Sequence, residues 1–88
     1  YHAALYGAAI LREMGIPAEA YLASEYALSP PPVSLGTLVV GITQSGETAD
    51  TLAALRAAKR RGVSTLALTN TVNSTAAREC DHAVYIRA

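Results

Sequence analysis

A parallel α/β sheet with helices on both faces is the fold class this chain predicts. Three observations carry it. Two near-continuous apolar runs of strand length, "TLVVGI" and "STLALT", lack the alternation of a half-solvated strand. A helical pattern, Ala49–Arg61, separates them. A third short apolar run, "AVYI", follows another helical stretch. Strands that alternate with helices pair in parallel through crossovers.

Residues 1–14 read as a helix, with Leu5, Ala8, Ala9, Ile10 and Met14 on one face and Arg12 and Glu13 on the other. Gly15 and then Pro17 stop it. Glu19–Leu22 has the length and apolarity of a short strand. Ser24–Gly36 reads as a surface connection, because the three prolines of "SPPPVSLG" exclude helix and central strand. Thr37–Ile42 is a strand covered on both faces. In the helix 49–61, Leu52 and Leu55 set a buried stripe padded by alanines. Glu47 and Asp50 sit near its start, and Arg56, Lys59, Arg60 and Arg61 crowd its end, matching the helix dipole. Gly62 closes it. Ser64–Thr69 is the second strand, Ser74–Cys80 a short helix and Ala83–Ile86 the third strand.

Composition narrows the function. The 88 residues carry seven acidic and seven basic side chains, so no basic field exists to hold nucleic acid by counterion release. No apolar run approaches the roughly 20 residues of a membrane span. The single cysteine, Cys80, cannot form an internal disulfide, which fits a reducing, cytoplasmic compartment. A chain that opens on Tyr1 and not on Met reads as a segment of something longer. No cofactor or metal motif is present: the chain has neither a Walker A loop nor a dinucleotide fingerprint.

The chemistry concentrates in "TQSGET", Thr43 to Thr48. Ligands of parallel sheets bind beyond the carboxyl ends of the strands, and this loop leaves a strand there and enters a helix. The first N–H groups of a helix lack intrahelical partners and, with the dipole, favour an anion. Gly46 allows close backbone approach. Thr43, Ser45 and Thr48 offer hydroxyls, Gln44 an amide, and the loop contains no Lys or Arg. Two readings stay open. Ser45 or Thr48 can be an ordinary N-cap, with Glu47 or Asp50 in the first turn. Alternatively the loop holds a phosphate, which requires both carboxylates to turn away. Asn70 and Thr71, at the same end of the next strand, are candidates to line the pocket.

"TQSGETADTLAALRAAKRRG" resembles the loop and helix of the sugar isomerase (SIS) domain family, whose signature is Ser-x-Ser-Gly-x-Thr. Within it, "QSGETADTLAALR" is similar to the first SIS domain of the glutamine–fructose-6-phosphate aminotransferase (isomerising) family. "YHAAL", "IPAEAYLASEY" and "TLALTNTVNSTAARECDHAVYIRA" extend the likeness over nearly the whole chain. The resemblance implies a three-layer αβα sandwich with a flavodoxin-like parallel sheet, of which residues 1–88 are a partial SIS domain. It implies phosphosugar binding, with fructose 6-phosphate or glucosamine 6-phosphate as ligand and Thr43, Gln44, Ser45, Gly46 and Thr48 at the contacting positions. It implies a homodimer for the full-length protein. Thr43 replaces the family's usual Ser and keeps the hydroxyl. Asn73 replaces a usual Gly, and Asn tolerates the left-handed region. The Arg-x-Arg of many relatives is absent from "YALSPPP". The family's Cys-Gly-Thr-Ser loop and a central strand would precede Tyr1, and its catalytic glutamate, lysine and histidine would follow Ala88. Residues 1–88 are therefore expected to carry no isomerase chemistry and to fold poorly alone. The alternatives are a two-SIS isomerase or deaminase without a glutaminase domain, or a non-catalytic phosphosugar-sensing regulator.

Outside the loop, the residues read as structural. His2 is an ordinary helix histidine, and Asp81-His82 is a turn with no catalytic pairing. Cys80 is buried and inert, and Arg78 and Glu79 form a solvated helix face.

Overall fold

A computed structural model of the chain describes residues 2–32 and 36–86. Seven elements follow in order: α1 (His2–Glu13), α2 (Ala23–Leu28), β1 (Leu38–Thr43), α3 (Ala49–Arg60), β2 (Ser64–Thr69), α4 (Thr75–Glu79) and β3 (His82–Tyr85). The strands form one parallel sheet in the order β1-β2-β3. Leu38 pairs with Ser64 through to Thr43 with Thr69, and Leu66 pairs with His82 through to Thr69 with Tyr85. The parallel α/β class is the one expected, and α3 and α4 are its crossovers.

The core lies between the sheet and α3 with α4. Leu52, Leu55, Ala67 and Ala76 form one buried cluster, and Tyr26, Ala54, Ala58 and Val63 form another. Gly41 sets how close α3 comes: a Cβ there would lie 2.7 Å from Leu55 Cδ1. A side chain at that position would force the Leu55 side chain to move. The C-terminus of α3 closes as expected, with Gly62 N–H donating to Lys59 O (3.0 Å) and Val63 N–H to Ala58 O (3.1 Å). This pair of hydrogen bonds satisfies the Ala58 and Lys59 carbonyls. The end of α1 uses the same pair of bonds, from Gly15 to Arg12 and from Ile16 to Leu11.

Three differences from the sequence reading have physical causes. Glu19–Leu22 is not a strand. A four-residue run has no ladder to join unless an edge lies beside it, and Tyr21 instead donates its hydroxyl to Glu19 and meets the Tyr26 ring edge-on. The connection Ser24–Gly36 opens with α2, because Tyr26 anchors that turn onto α3 before the prolines begin; Val33–Leu35 lie outside the described residues. β1 is covered on one face by the described residues. Leu38, Val40 and Ile42, on the other face, are 48%, 46% and 37% exposed, and Val84 of β3, across β2 on the same face, is exposed too. Of the three expected layers, the described residues supply the sheet and one helix layer packed closely on it. α1 leaves Tyr6, Ile10 and Met14 exposed. Among the described residues no helix is long and apolar enough to cross a membrane.

Candidate functional site

β1 and β2 end side by side, Thr43 opposite Thr69. The two loops that leave them, 44–48 and 70–74, therefore rise together from the carboxyl edge of the sheet. Both strand-end threonines are buried, at 8% and 1% exposure. Their hydroxyls point into loop backbone. Thr43 Oγ1 accepts from Gly46 N–H (3.2 Å) and pairs with Thr48 Oγ1 at 3.1 Å. Thr69 Oγ1 donates to Gln44 O (3.1 Å) and accepts from Thr71 N–H (3.2 Å).

The second loop grips the first. The Gln44 carbonyl accepts from Asn70 N–H (3.2 Å), Thr69 Oγ1 and Thr71 Oγ1 (3.1 Å each). The Gly46 carbonyl accepts from Ala76 N–H at 3.0 Å. Gly46 has φ +71°, and a Cβ on it would sit 2.1 Å from the Oγ of buried Ser74. Only glycine lets the loop lie flat against that serine. Asn73, in the second loop, takes the left-handed φ of 61° that its type tolerates.

At the start of α3 the hydroxyls do not serve as a side-chain cap. Thr48 stands at the N-cap position, yet its side chain makes no capping bond. Ser45 Oγ accepts from Glu47 N–H (3.1 Å), a bond inside the loop and not to the helix. The helix ladder begins with Leu52 N–H to Thr48 O (2.9 Å). The amides of Ala49, Asp50 and Thr51 precede that first rung. Ser45 uses its oxygen as an acceptor and keeps its O–H to donate. In the Thr43–Thr48 pair one hydroxyl donates to the other, so one proton of the two remains. Gln44, Ser45 and Thr48 are exposed.

Glu47 faces away from this mouth. Its carboxylate accepts from Thr75 N–H (2.8 Å) and Thr75 Oγ1 (2.6 Å), at the start of α4. Those bonds hold its carboxyl below the usual carboxylate range. Asp50 lies in the first turn of α3, exposed.

The expected site residues Thr43, Gln44, Ser45, Gly46, Thr48, Asn70 and Thr71 thus sit within one pair of interlocked loops. The Asn70 backbone N–H and the Thr71 hydroxyl donate to the Gln44 carbonyl and so tie the second loop to the first. The sequence reading missed Thr69, Ser74 and Thr75. Ser74 was legible as the start of the short helix, but the link from Thr75 to Glu47 was not.

Elsewhere, Glu79 is not a plain solvated side chain. Its carboxylate takes two bonds from Arg56, at 2.7 and 2.8 Å, and its carbonyl accepts from Lys59. Arg78 donates to Asn73 O and to Thr75 Oγ1. Asp81 turns to Thr65, whose N–H and Oγ1 both donate to Oδ2, at 2.9 and 3.1 Å. Cys80, half-buried, lines a cleft between α3 and α4 with Leu52, Arg56, Thr65 and Ala76. Burial raises its thiol pKa, which suits an inert cysteine.

The profile of the SIS domain family matches residues 1–88. Glutamine–fructose-6-phosphate aminotransferase [isomerizing] of Halobacterium salinarum is 55% identical over the whole chain, which spans 15% of that protein. The enzyme of the same name from Symbiobacterium thermophilum is 54% identical over 96% of the chain and is spanned to 14%. Among solved structures, the C-terminal domain of glucosamine-fructose-6-phosphate aminotransferase from Francisella tularensis superposes with a TM-score of 0.79. It is 39% identical, over 86% of this chain and 22% of that one. Glucosamine-6-phosphate deaminase from Thermotoga maritima gives a TM-score of 0.80 at 25% identity, over 97% of this chain and 28% of that one.

Proposed function

The chain belongs to the SIS domain family, and from that premise we propose that its "TQSGET" loop binds the phosphate of fructose 6-phosphate. In this reading the chain is a partial SIS domain within an isomerising glutamine–fructose-6-phosphate aminotransferase that makes glucosamine 6-phosphate. One observation carries the proposal: α3 begins without a side-chain cap, although its N-cap residue, Thr48, carries a hydroxyl. In this reading its first-turn amides, the Ser45 hydroxyl and the spare proton of the Thr43–Thr48 pair serve the phosphate. Glu47, the nearest carboxylate in the loop, is turned to Thr75. Neutral donors at a helix start stabilise a phosphate dianion without a lysine. The identity to the aminotransferases supports the choice of sugar.

The role assigned to these residues is binding and orientation. Ring opening and enolisation need an acid–base pair, and the loop supplies none, because its one carboxylate is occupied. In the full-length protein, Ser45→Ala should weaken fructose 6-phosphate binding by about 1–3 kcal/mol in calorimetry, the loss of a charge-assisted hydrogen bond. Unchanged affinity would remove the phosphate from this loop.

The likeness to the Thermotoga maritima deaminase favours a second reading, a sugar-phosphate deaminase or isomerase lacking a glutaminase domain. Product analysis separates the two. Glutamine-dependent formation of glucosamine 6-phosphate supports the first, and ammonia release from glucosamine 6-phosphate alone supports the second.

A further inference from the structure

We infer that Glu47 is a positioning residue for the phosphate loop, acting through Thr75 at the start of α4. The inference rests on the phosphate reading above and adds a residue to it. A carboxylate beside an anion site ordinarily weakens it by repulsion. Here the same carboxylate joins the loop to the element behind it. Glu47 Oε2 accepts from Thr75 N–H (2.8 Å) and Oε1 accepts from Thr75 Oγ1 (2.6 Å). The adjacent Gly46 carbonyl takes the next amide, Ala76 N–H, at 3.0 Å.

Gly46 and Glu47 thus lie across two consecutive donors of α4. This clasp is the link between the loops nearest to Thr48 and α3. The Gln44 carbonyl fixes the other side of the loop. Ser45 and the α3 amides stand between the two clasps. Releasing Glu47 frees one end of the segment and lets the donors spread. Arg78, which donates to Thr75 Oγ1 at 3.3 Å, is the cation facing the clasp from α4, and Glu79 is the anion nearest it on that helix.

The inference and simple electrostatics predict opposite signs. If Glu47 only adds negative charge near the ligand, Glu47→Ala tightens fructose 6-phosphate binding. If Glu47 positions the loop, Glu47→Ala weakens binding roughly tenfold although a repulsive charge is gone. Glu47→Gln keeps an acceptor for one of the two Thr75 donors and should recover part of the loss, to within roughly threefold of wild type. Thr75→Val leaves every charge in place, removes one donor to Glu47 and should weaken binding by roughly threefold.

The experiment is calorimetry of the full-length protein with fructose 6-phosphate on these three variants, with Ser45→Ala alongside and melting temperatures for each. Weaker binding in Glu47→Ala and Thr75→Val, with partial recovery in Glu47→Gln, supports the clasp. Tighter or unchanged binding in Glu47→Ala, with Ser45→Ala impaired, overturns the clasp and leaves the phosphate site standing. An unimpaired Ser45→Ala overturns both. If Glu47→Ala does not fold, Thr75→Val decides, and wild-type affinity there overturns the clasp.

Discussion

The helices α3 and α4 start in the same way in sequence and end up opposite in chemistry. Each follows a parallel strand that closes on a buried threonine, and each is entered through serines and threonines. At α4 every first-turn amide has a partner within the chain. Thr75 N–H goes to Glu47, Ala76 N–H to the Gly46 carbonyl and Ala77 N–H to Ser74 Oγ at 3.3 Å. At α3 the N-cap side chain makes no such bond. A helix start whose donors are all satisfied holds structure together. One that lacks a side-chain cap and stands beside spare hydroxyl protons suits the phosphate proposed for it. The first is built from pieces of the second: Gly46 and Glu47 belong to the α3 loop and serve α4.

Gly46→Ala attacks the contrast most severely. The new methyl meets Ser74 Oγ at 2.1 Å, and the backbone at φ +71° resists a side chain. We expect a loss of about 2–4 kcal/mol of stability in urea melts of the full-length protein, together with loss of fructose 6-phosphate binding. A wild-type melt and affinity would show that the loops do not interlock through this glycine.

Paired alanine substitutions sharpen it. Ser74→Ala removes a capping oxygen and should lower stability by about 0.5–2 kcal/mol. Thr48→Ala removes no cap, only the bond to Thr43, and should lower stability by less than about 1 kcal/mol, while fructose 6-phosphate affinity falls by about 1–2 kcal/mol. The reverse pattern would make α3 the capped helix and α4 the open one.

Acid should dissolve the α4 side of the contrast gradually. Three carboxylates hold the segment 75–81: Glu47 at its start, and Glu79 and Asp81 at its end. Each has a depressed pKa, through hydrogen bonds from Thr75, Arg56 and Thr65 respectively. A depressed carboxyl pKa adds stability above its ordinary value and loses it as pH falls through the folded value. The ordinary values are 4.5 for the glutamates and 3.8 for Asp81, so the loss belongs below those pH values. The effect is small, because all three groups are exposed to solvent. The urea midpoint should fall from pH 5 to pH 3 less steeply in Glu79→Gln than in wild type. An identical slope in that variant would detach Glu79 from the acid response.

Much of the β1–α3 unit was legible because it is local. The apolar run of β1, the Leu52 and Leu55 stripe, the basic last turn and Gly62 all act within a few residues of one another. The hydroxyl-rich loop was legible by composition and by its resemblance to SIS domains. Its open helix start was not, since Ser45 and Thr48 are good N-cap residues on paper. What keeps them from capping is geometry: Thr48 pairs with Thr43, and Ser45 turns back to Glu47 N–H. Glu19–Leu22 failed as a strand for a related reason, because a strand is defined by a neighbour and not by its own residues.

By itself, then, the sequence determined the alternation of strands and helices, the parallel class, and which loop carries the polar donors. These follow from side-chain periodicity and backbone preference, which need no distant partner. Tertiary structure alone decided where the charged and hydroxyl groups point. Glu47 meets Thr75 across 28 residues, Arg56 meets Glu79 across 23, and the Gln44 carbonyl gathers donors from a loop more than two dozen residues away. A carboxylate or hydroxyl has several partners of nearly equal worth within reach of a turn. Only when the parallel register sets Thr43 beside Thr69 do two loops come close enough for one partner to win.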